Sequence, residues 1–117
     1  FGKGLKKNVL FDLINKKHLE KINLNSTYQF YNLENINSDI ELALNKNLDI
    51  LNLATEPVKL KEVVKLCFDY KIKGNFKSTL RQENMITKFA KKLNKKSKYL
   101  YLKNEIIDDI KSFIDNN

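Results

Sequence analysis

Glycine is scarce in this 117-residue chain, with three residues at positions 2, 4 and 74. A dinucleotide-binding turn needs several glycines close together between a strand and a helix, so these three cannot supply one. The single cysteine excludes a disulfide framework, and the single histidine has no second histidine with which to share a metal. No apolar run approaches the ~20 residues of a membrane span. The N-terminus also lacks the order of a signal peptide. We therefore expect a cytoplasmic protein with no membrane partner.

Positive charge is abundant but is confined to one region. The net charge is +8, residues 1–56 are balanced, and residues 57–98 carry a surplus of ten positive charges. A regional surplus is what a nucleic-acid-binding face requires. However, 21 of the 22 basic residues are lysine, whereas bidentate recognition of bases and phosphates favours arginine. The charge therefore indicates mainly a solvated surface, and nucleic acid is an unlikely partner.

Hydrophobic periodicity predicts one α/β domain over residues 1–117, with about four or five helices and a few short strands. Apolar stripes predict helices that begin near Leu5, at an Asn32 cap, after Pro57, at Gln82 and at an Asn104 cap. The second of these helices should bury Leu33, Ile36, Ile40, Ala43 and Leu44, and the third should run to about Tyr70. Alternating or β-branched stretches predict strands at 20–24, 27–31, 49–53 and 99–102, and a hairpin turn at Gly74-Asn75.

The segment from Asp49 to Pro57 is predicted to be a junction between a buried strand and a helix. Ile50, Leu51 and Leu53 are typical of a short buried strand, and Pro57 ends it because proline cannot donate to a sheet. A helix follows at once, and such strand-to-helix junctions often carry ligand contacts in α/β proteins. The alternative is that the polar residues at this junction only turn the chain.

The same junction carries a family resemblance. Asn52-Leu53-Ala54-Thr55-Glu56-Pro57 resembles a turn in the C-terminal part of NAD(P)-dependent epimerase/dehydratase proteins, which belong to the extended short-chain dehydrogenase/reductase superfamily. The stretches at 1–9, 29–33 and 99–102 are similar to that family as well, and they occur in its order.

The resemblance implies that the chain is the substrate-side part of a larger Rossmann-type protein. An upstream nucleotide-binding domain would then bind NAD or NADP, and this part would bind no cofactor and would not be catalytic alone. The family's substrate is usually a nucleotide-linked sugar, and a fragment with an exposed sheet edge or apolar face favours a homodimer. The candidate substrate contacts that match the family's motifs are Lys6, Asn8, Gln29, Tyr31, Asn52, Thr55 and Glu56, and Arg81 is added because family members commonly have an arginine near its position. For each of them a purely structural role is the alternative.

One pair of residues matches a catalytic motif of the superfamily, but its predicted secondary structure does not fit that motif. Tyr99 and Lys103 match the Tyr-x-x-x-Lys pair of the superfamily, in which the lysine lowers the pKa of the tyrosine. The catalytic pair lies on one helix, whereas Tyr99 alternates with Leu100 and Leu102 as in a strand. No catalytic residue is therefore predicted. The alternative to a substrate domain is a small basic module that binds nucleic acid or a protein through the lysines of residues 88–98.

Overall fold

The computed structural model describes residues 1–47, 53–86 and 98–116, and these residues form a small mixed α/β domain. They contain four α-helices and a two-stranded antiparallel sheet, which confirms the predicted class and helix number. Two 3₁₀-helices, Leu19–Lys21 and Leu33–Asn35, accompany them. In chain order the elements are α1 (Val9–Asn15), β1 (Thr27–Tyr28), α2 (Ile36–Asn45), β2 (Val58–Lys59), α3 (Leu60–Cys67) and α4 (Lys103–Asp115).

The sheet differs from the predicted one. Thr27 pairs with Lys59 and Tyr28 with Val58, so β1 pairs with the residues after Pro57. The predicted strand at 20–24 is wrong, because a 3₁₀-helix at Leu19–Lys21 occupies its first half. Two parallel bridges extend the pairing, one between Thr27 and Gln82 and one between Thr55 and Tyr101. The predicted strand at 99–102 is thus reduced to one bridging residue, and residues 49–52 of the predicted strand at 49–53 lie outside the described residues.

Helix α1 begins later than predicted because Asn8 caps it. The Asn8 side chain accepts a hydrogen bond from the Phe11 amide at 2.9 Å, which satisfies one of the free N–H groups of the first turn. Leu5 therefore lies outside the helix and is exposed. Lys16 ends α1 in the left-handed region at φ 54°.

Helix α3 has no side-chain cap, because the lysine at position 59 has no side-chain acceptor. Its first N–H groups are satisfied by backbone carbonyls instead. Leu60 donates to the Ser26 carbonyl at 2.8 Å and Lys61 donates to the Leu24 carbonyl at 3.0 Å. The helix ends at Cys67, three residues before the predicted end.

The hydrophobic core lies between α1, the sheet and the packed pair α3 and α4. Its most buried members come from all of these elements: Leu10, Leu13, Phe30, Val58, Leu60, Val63, Ile106, Ile107 and Ile110. A smaller cluster brings Ala43 of α2 against Leu100, with Tyr31 and Tyr101 beside them.

The face of α2 that packs against the rest of the protein differs from the predicted face. Asp39 and Ala43 are buried, whereas Ile40 is 49% exposed and Leu44 is 66% exposed. The prediction assumed that the larger apolar side chains face inward. Asp39 faces inward instead because two tyrosine hydroxyls bond it there.

Helix α4 is not capped by Asn104, which lies within its first turn. Two glutamates bind the N–H groups at its start. Glu105 accepts from the Leu102 amide at 3.1 Å, and Glu56 accepts from the Lys103 amide at 2.9 Å. Both carboxylates place negative charge at the N-terminal end of the helix, where its dipole favours it, and Glu56 comes from another part of the chain.

Residues 71–86 have no helix, and none of them lies in β1 or β2. The Gly74-Asn75 hairpin is therefore wrong, although Gly74 does adopt φ +63° and a Cβ there would lie 2.9 Å from the Ile22 carbonyl. The helix predicted from Gln82 does not begin there, and residues 87–93 of that helix lie outside the described residues. Among the described helices, none is both long and apolar enough to cross a bilayer.

Candidate functional site

Four of the eight predicted substrate residues meet at one cleft of about 280 Å³. Asn8 comes from the start of α1, Gln29 and Tyr31 follow β1, and Arg81 comes from the segment that bridges to β1. We call this the Arg81 cleft; it is lined by Phe1, Lys7, Asn8, Val9, Tyr28, Gln29, Phe30, Tyr31 and Arg81. It combines two cations, two amides and aromatic rings, a lining suited to an anionic ligand that carries a polar ring.

Arg81 is positioned by the backbone around it. Its carbonyl accepts from the Thr27 amide at 2.7 Å, and its amide donates to the buried Ser26 hydroxyl at 3.1 Å. The guanidinium is close enough to Tyr28 to lower the pKa of that hydroxyl, although burial is the larger effect and raises it. The exposed Arg81 side chain therefore has a fixed base at the edge of the cleft.

Gln29 joins two segments that are far apart in sequence. Its side-chain amide donates to the carbonyls of Thr55, at 2.7 Å, and of Met85, at 2.6 Å. Its side-chain oxygen accepts from the Met85 amide at 2.7 Å, and its backbone amide donates to Glu83 at 3.0 Å. Since both of its side-chain donors are already used, Gln29 holds the wall of the cleft and has only acceptor capacity left for a ligand.

Tyr31 belongs to a buried cluster that the sequence did not indicate. Its hydroxyl donates to Asp39 at 2.5 Å, and the Tyr101 hydroxyl donates to the same carboxylate at 2.9 and 3.0 Å. Asp39 is 5% exposed and lies on α2, so the cluster joins that helix to the segment after β1 and to the residues before α4. The Tyr31 ring is thereby fixed where it lines the Arg81 cleft.

The cluster keeps both tyrosines protonated. Burial, and after it the hydrogen bond to Asp39, raises the pKa of Tyr31 and of Tyr101 well above the ordinary value. Both hydroxyls therefore act as donors to the carboxylate rather than as acids at neutral pH. Tyr31 is positioned to contact a ligand with its ring, and its hydroxyl is already engaged.

The other predicted residues are distributed around the molecule. Lys6 lines a neighbouring cleft that Asn8 shares. Glu56 caps α4, and Thr55 is fully buried with a hydroxyl that has no hydrogen-bond partner among the described residues. Neither of these two lines the Arg81 cleft. Asn52 lies outside the described residues.

The rejected tyrosine–lysine pair does not share a helix. Tyr99 lies in a bend before α4 and donates to Asn84 at 2.8 Å. Lys103 is the first residue of α4 and pairs with Glu62 at 3.3 Å. Across residues 1–47, 53–86 and 98–116, no three His, Cys, Asp or Glu side chains are grouped as metal ligands would be.

Sequence reasoning missed Lys7, Asp39, Glu83 and Tyr101. A signal for Asp39 existed: it is four residues before Ala43, so the two share one helical face, and an aspartate on a buried face needs donors. No local pattern identifies Tyr31 and Tyr101 as those donors, because they are 70 residues apart.

No protein-family model, curated protein or solved structure matches this chain.

Proposed function

We propose that the chain is the substrate-recognition part of an NAD(P)-dependent nucleotide-sugar epimerase, dehydratase or reductase. The observation that carries this proposal is the meeting of Asn8, Gln29, Tyr31 and Arg81 around one cleft. Asn8, Gln29 and Tyr31 were selected from motif positions and Arg81 from its place in the chain, and neighbouring segments of the fold bring all four together.

The chemistry of the cleft suits a sugar diphosphate. Arg81 and Lys7 supply positive charge for phosphate oxygens, and Arg81 can bind two of them at once through its fork of N–H groups. The side-chain N–H groups of Asn8 are donors for sugar hydroxyls, because only its oxygen is used to cap α1. The Tyr31 ring offers an apolar surface for a sugar face.

Catalysis and cofactor binding belong to an upstream Rossmann domain in this proposal. The residues present here do not fit the pyrophosphate of NAD(P). Gly4 lies in a turn four residues before Asn8, and Gly74 lies in the loop after α3, so neither begins a glycine-rich turn. The chain would contribute binding and orientation of the substrate, with NAD or NADP held by its partner domain.

The test is a calorimetric comparison of Arg81→Ala with Lys77→Ala, using UDP-glucose at physiological salt. Lys77 is an exposed cation outside the Arg81 cleft, so its removal changes the net charge equally. We expect Arg81→Ala to weaken binding about 10-fold or more, the loss typical of a charge-assisted hydrogen bond, and Lys77→Ala to have little effect. Equal weakening by both variants would indicate general charge attraction and contradict the proposal.

The alternative of a basic module for nucleic acid or a protein gains no support from the described residues. Lys88, Lys91, Lys92, Lys95 and Lys96 lie outside them.

A further inference from the structure

An open groove of about 540 Å³ lies between α3 and the segment that follows it, and it shares no lining residue with the Arg81 cleft. We call it the Lys65 groove. Its floor consists of one buried and four half-buried side chains, all apolar or aromatic: Val64, Leu24, Phe68, Tyr70 and Ile72. Such a floor can accept the apolar side chains of a partner.

The rim of the Lys65 groove is basic. Four exposed lysines line it, two from α3 and two from the segment after α3: Lys61, Lys65, Lys71 and Lys73. Asp69 is the one acidic residue of the lining, which therefore has a net charge of +3. In the part of the chain that the structure describes, the one ion pair joins Lys103 to Glu62, and neither of these residues lines the groove. The four ammonium groups on the rim can therefore pair with carboxylates of a partner.

Contacts with distant parts of the chain fix the shape of this groove. The Tyr70 hydroxyl donates to the Leu13 carbonyl in the last turn of α1, and the Tyr70 ring packs edge-on against Phe68, with the ring centres 5.8 Å apart. The Asn75 amide donates to the Ile22 carbonyl at 2.6 Å, which anchors the far end of the segment that lines the groove. A groove held in this way loses little conformational freedom when a partner binds.

We propose that the Lys65 groove docks an acidic segment of a partner protein, in which large apolar side chains stand between the carboxylates. Charge complementarity selects this occupant, because the basic rim attracts carboxylates and the apolar floor accepts the side chains between them. The inference goes beyond the proposed function and does not depend on it. The lysines of the groove are also different from those of residues 88–98, on which the alternative of a basic module depends.

Two other classes of partner fit the Lys65 groove less well. A nucleic acid strand needs open aromatic faces on which its bases stack, whereas three of the five floor side chains are aliphatic and the Lys16 ammonium lies over the Tyr70 ring, 4.7 Å from its centre. A bilayer is contacted by apolar side chains that project from the surface, whereas these are buried or half-buried beside exposed lysines. A protein segment can place its own apolar side chains into the groove.

The experiment measures the fluorescence anisotropy of a labelled synthetic peptide, in which glutamates alternate with leucine and phenylalanine, as the full chain is added at physiological salt. Two matched peptides separate the contributions of the rim and the floor. One has serine in place of leucine and phenylalanine, and the other has glutamine in place of glutamate. We expect the first peptide to bind at least about 10-fold more tightly than either matched peptide.

A pair of charge-reversal variants locates the binding site. Lys65→Glu combined with Lys71→Glu reverses one charge from α3 and one from the segment after it, and leaves the apolar floor unchanged. We expect this double variant to weaken binding of the first peptide about 10-fold or more. Lys46→Glu combined with Lys77→Glu is the control, because both lysines are exposed, neither lines the groove, and the net charge changes equally.

Several outcomes would overturn this inference, whatever the result with sugar nucleotides. Equal weakening by the two double variants, or equal binding of the serine peptide, would indicate general charge attraction. Displacement of the bound peptide by UDP-glucose would place the peptide in the Arg81 cleft instead. Binding to phosphatidylserine vesicles that requires Lys65 and Lys71, without binding of the peptide, would make this face a membrane-binding surface. If the groove variant does not fold, as seen by circular dichroism, the comparison of the three peptides on the unchanged chain still decides the question.

Discussion

Asp39 is the residue whose environment most constrains this fold. A carboxylate that is 5% exposed is costly unless donors surround it, and here the hydroxyls of Tyr31 and Tyr101 both bond to it. The same bonds fix the Tyr31 ring at the wall of the Arg81 cleft. A buried polar cluster thus connects the stability of the domain to the geometry of its candidate site.

We predict that Asp39→Ala lowers the free energy of unfolding by about 3 kcal/mol, because two half-buried tyrosines lose their hydrogen bonds to a carboxylate at once. Urea unfolding followed by circular dichroism measures this. Glu41→Ala, at an exposed position on the same helix, is the control and should change the free energy by less than about 0.5 kcal/mol. Similar values for the two variants would show that the cluster contributes little to stability.

From the raised pKa values of Tyr31 and Tyr101 we predict that the free energy of unfolding falls in alkali. The pKa values of Tyr31 and Tyr101 are raised by folding, so above about pH 10 the folded state holds protons that the unfolded chain releases. The free energy of unfolding must therefore fall as the pH rises from about 10.

Replacing both residues with phenylalanine should make that fall shallower, as measured by urea unfolding at a series of pH values. Tyr99→Phe is the control, because the Tyr99 hydroxyl bonds to Asn84 rather than to Asp39. If the free energy of unfolding of the double variant falls with pH as steeply as that of the unchanged chain, these two tyrosines are not the cause of the fall.

At the scale of elements, helix α4 shows how a distant residue can replace a predicted local cap. Glu56 binds the Lys103 amide at 2.9 Å, whereas Asn104, the expected cap, lies within the helix. Glu56→Ala should therefore lower the free energy of unfolding by about 1 kcal/mol, and Glu56→Gln should restore part of this because its amide oxygen still accepts.

Asn104→Ala is the matched control for that experiment. Alanine is the better helix former, so this variant should be neutral or more stable by up to about 0.7 kcal/mol in urea unfolding. A larger loss in Asn104→Ala than in Glu56→Ala would show that the capping assignment is wrong.

The sequence predicted those elements whose signals are local. The apolar stripes of α1, α3 and α4 and the absence of a side-chain cap at Lys59 follow from spacing and residue type alone. The errors arose where distant contacts decide the structure. Pairing of β1 with β2 and the cap of α4 depend on partners at least 30 residues away in the chain, and the inward face of α2 depends in part on Tyr101, which is 62 residues from Asp39.

The candidate site, too, could be predicted from the sequence only in part. Asn8, Gln29 and Tyr31 were identified from motif positions and Arg81 from its place in the chain, but their meeting at one cleft depends on the bridge between Thr27 and Gln82. Lys7 was not selected although it lies in the 1–9 stretch, and the tyrosine partners of Asp39 could be found only through the fold. The sequence also could not show that both side-chain donors of Gln29 are already used.

At the scale of the whole molecule, we propose that the exposed apolar residues of α2 form a surface for self-association. Ile40 and Leu44 are 49% and 66% exposed on this helix, whereas Asp39 is buried. We expect a dimer, seen by light scattering, that Leu44→Lys weakens several-fold because the lysine places a charge on that face. Leu66→Lys is the control at an equally apolar, exposed position on α3 and should leave the dimer intact. A strict monomer at high concentration, or equal weakening by both variants, would contradict this.

The central claim is that the chain recognises a nucleotide-linked sugar, and titration calorimetry tests it most directly. The purified chain would be titrated with UDP-, GDP- and dTDP-sugars at physiological salt, with a single-stranded oligonucleotide as a comparison ligand. The account predicts saturable binding with one ligand per chain for at least one sugar nucleotide, and tighter binding of that ligand than of the oligonucleotide. An absence of heat across the sugar panel, or binding of the oligonucleotide alone, would contradict it.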